Sequence, residues 1–289
     1  MKIVKYVGGL GNQMFIYAFS VALRETFKQE IYADTHYYKS FKFHNGLEIS
    51  KIFGVTLKEA KGWDILCMAW YFPNYWIDFH IMRRLPKRKT TQRELPKYQF
   101  NERIMEDASE KYYDGYWQNY KYFDKYKSII TKEFQFKNPL SKQNQELLNE
   151  IYSDTASVAV HVRRGDYLKN KKYVGLCGLE YYKSAIEIIG KKVQNPVFYL
   201  FSDDLEYVKE NICPLLNGAD YKIVNWNKGV ESYVDMQLMS KCSHMIIANS
   251  SFSWWAAYLN ERVLNVIAPQ KWTNSDILFK FQLDEWITI

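Results

Sequence analysis

Five short apolar runs alternate with helical patterns in the second half of the chain, and this alternation constrains the fold most strongly. The runs are rich in β-branched and aromatic residues, which favour strands. Strands that alternate with helices form a parallel sheet, because each helix carries the chain back along the face of the sheet. The sequence therefore predicts an α/β fold with strands at residues 157–162, 197–201, 221–225, 244–248 and 263–267, and helices at Leu179–Ile189, Leu205–Ile212, Ser232–Ser240 and Ser253–Leu259.

The first residues of the chain predict another unit of this kind. Residues 3–7 predict a strand, the glycine-rich residues 8–11 a tight turn, and the apolar spacing of residues 12–27 a helix. Position 14 is a methionine, so the turn lacks the third glycine of the dinucleotide fingerprint, which argues against a standard NAD site. We expect the turn to bring backbone amides and the side chains of Asn12 and Gln13 to the mouth of a sheet. A turn with a purely structural role is the alternative.

The length of the chain allows one large domain or two smaller ones. At 289 residues, each half can bury its own core. Residues 137–141 predict a turn, and a short helix follows through Ile151, so we expect domains at 1–150 and 151–289. Residues 34–130 combine many aromatic residues with scattered charge and predict a mostly helical, aromatic-rich insertion in the first domain.

The net charge of +7 lies entirely in the first half of the chain. Residues 1–150 hold 24 Lys and Arg against 17 Asp and Glu, whereas residues 151–289 hold 15 of each. Much of the excess forms one cluster after the aromatic-rich residues 63–80, namely Arg83, Arg84, Lys87, Arg88, Lys89 and Arg93. Apolar bulk beside basic residues suits an anionic membrane surface, so residues 63–93 are candidates for peripheral membrane contact; a solvated loop is the alternative. The chain has no recognised nucleic-acid module, and we expect no nucleic-acid partner.

The cysteines and histidines suggest no metal site. The four cysteines form no Cys-x-x-Cys pair and the five histidines are scattered, so neither zinc nor a disulfide framework is expected. Reduced thiols and the lack of a long apolar run predict a cytoplasmic protein. The apolar residues 14–23 resemble a secretion signal, but Arg24 and Glu25 follow directly without a cleavage site. We therefore expect these residues to belong to the mature structure.

The residues at the end of the strand at 157–162 predict an anion site. His161, Arg163, Arg164 and Asp166 lie within six residues, where a parallel sheet normally binds its ligand. Two fixed guanidinium groups suit a diphosphate, because arginine keeps its charge and bonds phosphate oxygens in pairs. A surface Arg–Asp pair is the alternative.

Two other strands end in polar residues that suit a nucleotide. Asp203 and Asp204 follow one strand, and one of them could accept hydrogen bonds from a ribose or a guanine edge. Asn249 to Ser253 follow another strand, where hydroxyl groups and free amides at a helix start would bind an anion. Helix capping is the alternative at both places. These two segments and the opening glycine turn make three polar segments, which we expect on the same edge of one sheet.

Three motifs in this order resemble a known family. The chain carries Gly-Gly-Leu-Gly-Asn-Gln-Met-Phe at 8–15, His-Val-Arg-Arg-Gly-Asp-Tyr at 161–167 and Asn-Ser-Ser-Phe-Ser-Trp-Trp at 249–255. These motifs are similar to those of glycosyltransferase family 11, the α-1,2-fucosyltransferases, and residues 201–204 fit a fourth. The resemblance implies a GT-B-like α/β fold with two Rossmann-like domains facing across a cleft. It also implies inverting transfer of fucose from GDP-β-L-fucose to the 2-hydroxyl of a terminal galactoside, without a required metal.

The resemblance also implies roles for individual residues. Arg163 and Arg164 would hold the diphosphate, and Asp203 or Asp204 the nucleoside. The first domain would serve the acceptor side and the second would bind GDP-fucose. The second domain's donor site would be lined by Ser250, Ser251 and Phe252. The first domain's binding residues, which would face the cleft from the other side, would be Gly9, Gly11, Asn12 and Gln13. The general base stays open: Asp166 ranks first, His161 is the other candidate, and either could instead orient the arginines. A mechanism with little help from a base is a further alternative. A non-catalytic sugar- or nucleotide-binding protein and a transferase for another nucleotide sugar are the alternatives.

Overall fold

The chain divides into two units, each built around its own parallel sheet. The computed structural model describes residues 1–40, 44–70, 75–81, 84–275 and 280–289. The first unit comprises Met1–Lys137 with Lys280 and Phe281, and the second comprises the rest of the described chain from Asn138 onward. Within these ranges, no helix is both long enough and apolar enough to cross a membrane. The predicted roles of the two domains, the acceptor side for residues 1–150 and GDP-fucose binding for residues 151–289, stay predictions.

The first unit contains a four-stranded sheet in the order β2-β1-β4-β3, with all neighbours parallel. Its strands are β1 (Lys2–Lys5), β2 (Ile31–Asp34), β3 (Thr91–Arg93) and β4 (Lys111–Asp114). Its helices are α1 (Leu10–Phe27), α2 (Tyr37–Ser40), α3 (Ile49–Phe53), α4 (Gly62–Met68), α5 (Tyr75–His80), α6 (Glu102–Glu106) and α7 (Lys127–Glu133).

Helix α1 lies at the centre of the first unit's core. It is buried on nearly all sides from Leu10 to Leu23, so residues 14–23 are part of the folded core, as the sequence predicts. Phe19 stacks on Trp117, with ring centroids 4.3 Å apart, and meets Tyr113 and Tyr122 edge to face. Much of the aromatic content of the first half is therefore core packing.

The prediction of a mostly helical insertion at residues 34–130 is wrong in one respect. The segment supplies β3 and β4, and β4 pairs directly with β1 in the middle of the sheet. A strand of four residues with charged ends has no alternating pattern to reveal it, because its bounds are set by its pairing with distant strands. Of the predicted basic cluster, Arg83 lies outside the described residues.

The second unit contains a six-stranded parallel sheet in the order β10-β9-β8-β5-β6-β7. Its strands are β5 (Ser157–Val162), β6 (Val197–Ser202), β7 (Tyr221–Val224), β8 (His244–Ile246), β9 (Asn265–Ala268) and β10 (Ile287–Thr288). Its helices are α8 (Lys142–Ser153), α9 (Leu179–Lys192), α10 (Leu205–Tyr207), α11 (Tyr233–Met239) and α12 (Ser251–Tyr258). Every predicted strand and helix of this half is present, with ends shifted by a few residues, and α10 continues as a π-turn at Val208–Ile212.

The expectation that three polar segments share one edge of one sheet is wrong for the opening motif. Its strand, β1, belongs to the first unit's sheet, whereas β5, β6 and β8 belong to the second. A βα unit looks the same in either sheet, so the sequence pattern alone does not reveal which sheet a strand joins. The two other segments follow β6 and β8, which flank β5 on either side, and both lie at the carboxyl edge of the second sheet.

Candidate functional site

The register of β5 and β6 brings the two arginines against the two aspartates. Val162 pairs with Ser202 in this parallel ladder. The next residues on each strand are therefore neighbours: Arg163 lies beside Asp203, and Arg164 beside Asp204. The sequence predicts both pairs as polar strand ends, and the in-register pairing turns them into a row of four charges.

Each guanidinium group is held by carboxylates. Arg163 forms ion pairs with Asp203 (Nη1 to Oδ2, 2.8 Å) and with Asp166 (Nη2 to Oδ1, 2.6 Å). Arg164 forms an ion pair with Asp204 (Nε to Oδ2, 3.0 Å), and its guanidinium lies 3.5 Å from the centre of the Tyr207 ring. The arginine side chains are fixed in direction but remain about a quarter to a third exposed, at 26% and 32%. A ligand can therefore reach them.

Asp203 is held from three sides. Its Oδ1 accepts the backbone N–H of Arg164 at 2.9 Å, and its Oδ2 pairs with Arg163. A Cβ atom on Gly165 would lie 2.7 Å from Asp203 Oδ2, so only glycine permits this close approach. Asp203 thus positions Arg163 through a fixed contact to the backbone.

Asp204 combines two structural roles. Its Oδ1 accepts the backbone N–H of Tyr207 at 3.1 Å and so caps α10, as the capping alternative predicts. Its Oδ2 binds Arg164. Because both carboxylates already bind arginines, the pairing accounts for the two adjacent acids. Their predicted contact with the nucleoside stays a prediction.

His161 is buried near the end of β5. Its backbone carbonyl accepts the Tyr182 hydroxyl at 3.0 Å, and its ring lies 5.8 Å from the Phe252 ring. Burial, with a smaller contribution from the Arg163 charge, lowers the pKa of His161 to about 3. Among the described residues, its Nδ1 atom has no hydrogen-bond partner. A neutral imidazole with so low a pKa is a poor general base at neutral pH.

The segment after β8 lies at the same carboxyl edge of the sheet as the residues after β5 and β6. Ser250 caps α12, accepting the Phe252 N–H at 3.3 Å, which is the capping alternative. The Asn249 amide donates to the Trp272 carbonyl at 3.2 Å, and its backbone carbonyl accepts the Tyr167 hydroxyl at 3.2 Å. Asn249 therefore ties the loop after β5 to the end of β8. Ser251 and Phe252 begin the helix and remain partly exposed.

Tyr207 and Tyr167 are site residues that the sequence does not predict as such. The Tyr207 ring packs against the Arg164 guanidinium, and the centre of the Tyr167 ring lies 5.6 Å from the Arg163 guanidinium. Tyr167 also stacks on Tyr173, with ring centroids 4.7 Å apart. The position of Tyr167 in the 161–167 motif was the only signal available, since tyrosines are common throughout this chain.

The opening motif makes a structural turn in the first unit. Gly9 precedes α1, and its carbonyl accepts the backbone N–H groups of Asn12 and Gln13, both at 3.0 Å. The buried Gln13 amide donates to the carbonyls of Gly8 and Gly46 and accepts the N–H groups of Glu48 and Ile49.

The side chains of Asn12 and Gln13 both form hydrogen bonds within the first unit. Asn12 Oδ1 accepts the Gln118 side-chain amide at 2.5 Å, and Gln13 uses both ends of its amide within the unit. These bonds support the structural alternative for Gln13. Substrate contacts by Gly9, Gly11, Asn12 and Gln13 stay predictions.

A family comparison identifies the chain. The model described as Glycosyl transferase family 11 matches residues 3–289, which includes all the motifs discussed above. The chain belongs to glycosyl transferase family 11. The resemblance inferred from the three motifs is confirmed, and the protein is a glycosyltransferase.

Individual relatives of this family 11 enzyme support the assignment. It is 32% identical over 302 residues to an α-1,2-colitosyltransferase of Escherichia coli, covering 99% of this chain and 98% of the relative. It is 28% identical over 182 residues to galactoside α-(1,2)-fucosyltransferase 1 of Homo sapiens, covering 58% of this chain and 49% of the relative.

A solved structure supports the fold of the family 11 enzyme. NodZ α-1,6-fucosyltransferase, soaked with GDP-fucose, is similar with a TM-score of 0.54 and 17% identity, covering 92% of this chain and 94% of NodZ. At this identity the similarity shows the fold alone. Together with the two parallel α/β units, it confirms the α/β, GT-B-like fold class.

The site of the family 11 enzyme is built from arginines and carboxylates in pairs. Across the described ranges of the chain, no three His, Cys, Asp or Glu side chains lie close enough to hold a metal ion. What the described geometry offers to a ligand is two oriented guanidinium groups after β5, with the start of α12 following the neighbouring strand β8. This arrangement suits the phosphates of a sugar nucleotide.

Proposed function

We propose that this enzyme is an inverting α-1,2-fucosyltransferase that moves fucose from GDP-β-L-fucose to the 2-hydroxyl of a terminal galactoside. The observation that carries the proposal is the fixed pair Arg163 and Arg164 at the carboxyl edge of a parallel sheet, where α/β folds bind nucleotides. The relatives named above as α-1,2-transferases support the linkage, and the human relative supports fucose and galactoside.

The diphosphate would bind by taking over one of the two contacts of Arg163. Asp166 is the contact to be displaced, because its side chain is 60% exposed and lies on a short turn. Asp203 would stay in place, since the Arg164 backbone and the Gly165 position hold it. The ligand would thus find Arg163 already aimed, which lowers the entropy that ordering the site costs.

The chemical step transfers the fucosyl group in a single displacement. The acceptor 2-oxygen forms a bond to C1 of fucose on one face, while the bond from C1 to the phosphate oxygen breaks on the other. Negative charge builds up on the departing GDP, and the two guanidinium groups stabilise it. A site that is already oriented pays little reorganisation energy at that moment.

The acceptor proton needs a route that His161 does not supply well. Its low pKa makes it a weak acceptor, so we assign it to a neutral role beside the donor. Asp166 keeps its place as the candidate base, released from Arg163 when the diphosphate arrives. If it serves instead to orient Arg163, Asp166→Asn will raise the KM for GDP-fucose more than it lowers kcat.

We further propose that the reaction requires no metal, because the arginines neutralise the leaving diphosphate. Full fucosyl transfer in excess EDTA is the expected result, measured as the initial rate beside a sample with added Mg²⁺. A rate that falls to background in EDTA and returns with Mg²⁺ would contradict this part of the proposal.

A second candidate function, transfer of colitose instead of fucose, is favoured by one observation. One relative that covers 99% of this chain is named for colitose, the 3-deoxy form of fucose. A site that hydrogen-bonds the fucose 3-hydroxyl rejects a donor without it by a large factor, whereas an apolar site accepts both. Competition among GDP-fucose, GDP-colitose, GDP-mannose and UDP-galactose would distinguish these cases.

The experiment is a transfer assay with these donors on an array of galactose-terminated glycans, followed by determination of the product linkage. We expect GDP-fucose to give the highest kcat/KM and an α-1,2 product. A preference for another donor, or a different linkage, would overturn the proposal. Tight GDP binding with no transfer to any acceptor would favour a non-catalytic binding protein.

We also propose a cytoplasmic location with peripheral contact at the inner face of a membrane. All four cysteines are free thiols, which is typical of a reducing compartment. Fractionation of cells that express the full chain tests this location. Recovery from an oxidising compartment, with disulfides formed, would contradict it.

A further inference from the structure

Helix α4 is apolar on two opposite faces. Ile65, Met68 and the following Ala69 pack into a buried cluster with the first unit's sheet. The outward face carries Trp63 and Leu66, and Trp70 continues it after the helix ends. These side chains are 73%, 37% and 36% exposed. A surface helix normally shows polar residues on its outward face, so an exposed apolar face here needs a partner.

A basic segment packs against Trp70, at the end of this outward face. The Trp70 indole N–H donates to the Pro86 carbonyl at 2.7 Å, and the Arg88 guanidinium lies 4.7 Å from the centre of the Trp70 ring. The Thr90 hydroxyl donates to the Met68 carbonyl at 2.5 Å. These contacts hold residues 84–89 beside α4.

We define the α4 surface as Trp63, Leu66, Trp70, Arg84, Leu85 and Lys89. Its last three members are also exposed, Leu85 by 38%. Residues 61–70 and 84–89 together contain five basic residues and one acidic residue, a net charge of +4. Exposed apolar side chains and positive charge thus occupy the same face.

We propose that the α4 surface docks this enzyme on a lipid bilayer with anionic headgroups. Tryptophan and leucine would enter the headgroup region, while Arg84 and Lys89 would meet lipid phosphates. This surface does not include the arginine pair, so the proposal does not depend on which sugar is transferred. It goes beyond the proposed reaction by naming the surface through which the enzyme would meet a membrane.

Charge favours a bilayer over a second copy of the chain. Two copies joined through this face would oppose one net charge of +4 to another, and like charges at an interface disfavour association. An anionic bilayer complements the same charge. Two more exposed apolar residues lie between the two segments that form the α4 surface. Trp76 on α5 is 60% exposed, and Ile81 directly after α5 is 48% exposed.

The test is sedimentation of the full chain with vesicles. One set contains phosphatidylglycerol and phosphatidylethanolamine, and the other contains phosphatidylcholine alone. The apolar variant is Trp63→Ser with Leu66→Ser, and its control is Val230→Ser with Leu264→Ser, which are 69% and 73% exposed in the second unit.

The charge variant is Arg84→Gln with Lys89→Gln, and its control is Lys191→Gln with Lys192→Gln, both exposed on α9. Each variant is also assayed for transfer to a soluble galactoside and for its Tm. These readouts separate a failure of docking from a failure of catalysis or folding.

We expect binding to the phosphatidylglycerol vesicles, falling by more than tenfold in the apolar variant. The charge variant should lose roughly fivefold for each charge removed. Both controls should bind like the wild type, and all variants should retain transfer to the soluble acceptor. Equal binding to both vesicle sets, no binding, or loss in the controls as large as in the variants would overturn the proposal. Self-association abolished by Trp63→Ser with Leu66→Ser would also overturn it, in favour of a second copy.

Discussion

Gly165 lacks a side chain at the point where Asp203 meets the backbone. The 161–167 motif predicts the arginines as an anion site, because their charge and position at a strand end are visible in the sequence. It does not reveal that Asp203 and Asp204 are their partners, since this follows from the register of two strands that lie 40 residues apart. Nor does it reveal that Gly165 is required by packing.

At this scale we predict the effect of Gly165→Ala. The added Cβ would lie 2.7 Å from Asp203 Oδ2 and push the carboxylate away from Arg163. The KM for GDP-fucose should rise by about tenfold, because Arg163 loses its fixed direction, while Tm changes little. Steady-state kinetics check this. Gly190→Ala in α9 is the matched control, because a Cβ atom added there would have no other atom within 4 Å. An equal KM in both variants would refute the role of Gly165.

At the scale of elements, buried strands were easy to predict and paired short strands were not. The bounds of β5 were predicted correctly because its small and β-branched residues suit a strand of which all six residues are buried. β4 was missed because only Tyr112 and Tyr113 are apolar, and its place depends on pairing with β1. The hydrogen bonds that Gln13 makes within the first unit were not predicted for a similar reason, since three of its four partners lie at residues 46–49.

A polar network joins α8 to α11 through the residues after β7. Asn227 donates to Asp235 Oδ1 at 2.7 Å and accepts the Asn144 side-chain amide at 2.8 Å. Burial raises the pKa of Asp235 to about 7, with the Asn227 bond opposing the shift. The folded state therefore keeps a proton that the unfolded chain releases near pH 4, so stability is lost as the pH rises from about 4 to 7.

We predict that Asp235→Asn removes this pH dependence. Relative to the wild type, the free energy of unfolding of the variant should rise by about 1–3 kcal/mol between pH 4.5 and pH 8, because the amide cannot ionise. Urea denaturation at both pH values measures it. Asp220→Asn at an exposed position should show no such change, and a gap between variant and wild type that stays constant or shrinks would contradict the account.

At the scale of the whole molecule, the two halves of the chain carry different charge and different surfaces. The excess positive charge lies in the first half of the chain, together with the α4 surface. The second half is neutral overall and places two of its three arginines beside carboxylates. The alternating strands and helices predict the second sheet in outline, whereas only β1 of the first sheet's four strands is predicted. The family motifs predict the reaction class, and the arginine pair connects that reaction to a place in the fold.

The initial rate of fucosyl transfer by Arg163→Ala tests the central claim most directly. We expect the wild type to transfer fucose from GDP-fucose to the 2-hydroxyl of a galactoside, and the variant to lose roughly 10²–10³ in kcat with an unchanged Tm, because the leaving diphosphate loses its fixed charge. Arg103→Ala, exposed on α6, should match the wild type. A rate for Arg163→Ala equal to that of the wild type would contradict the account.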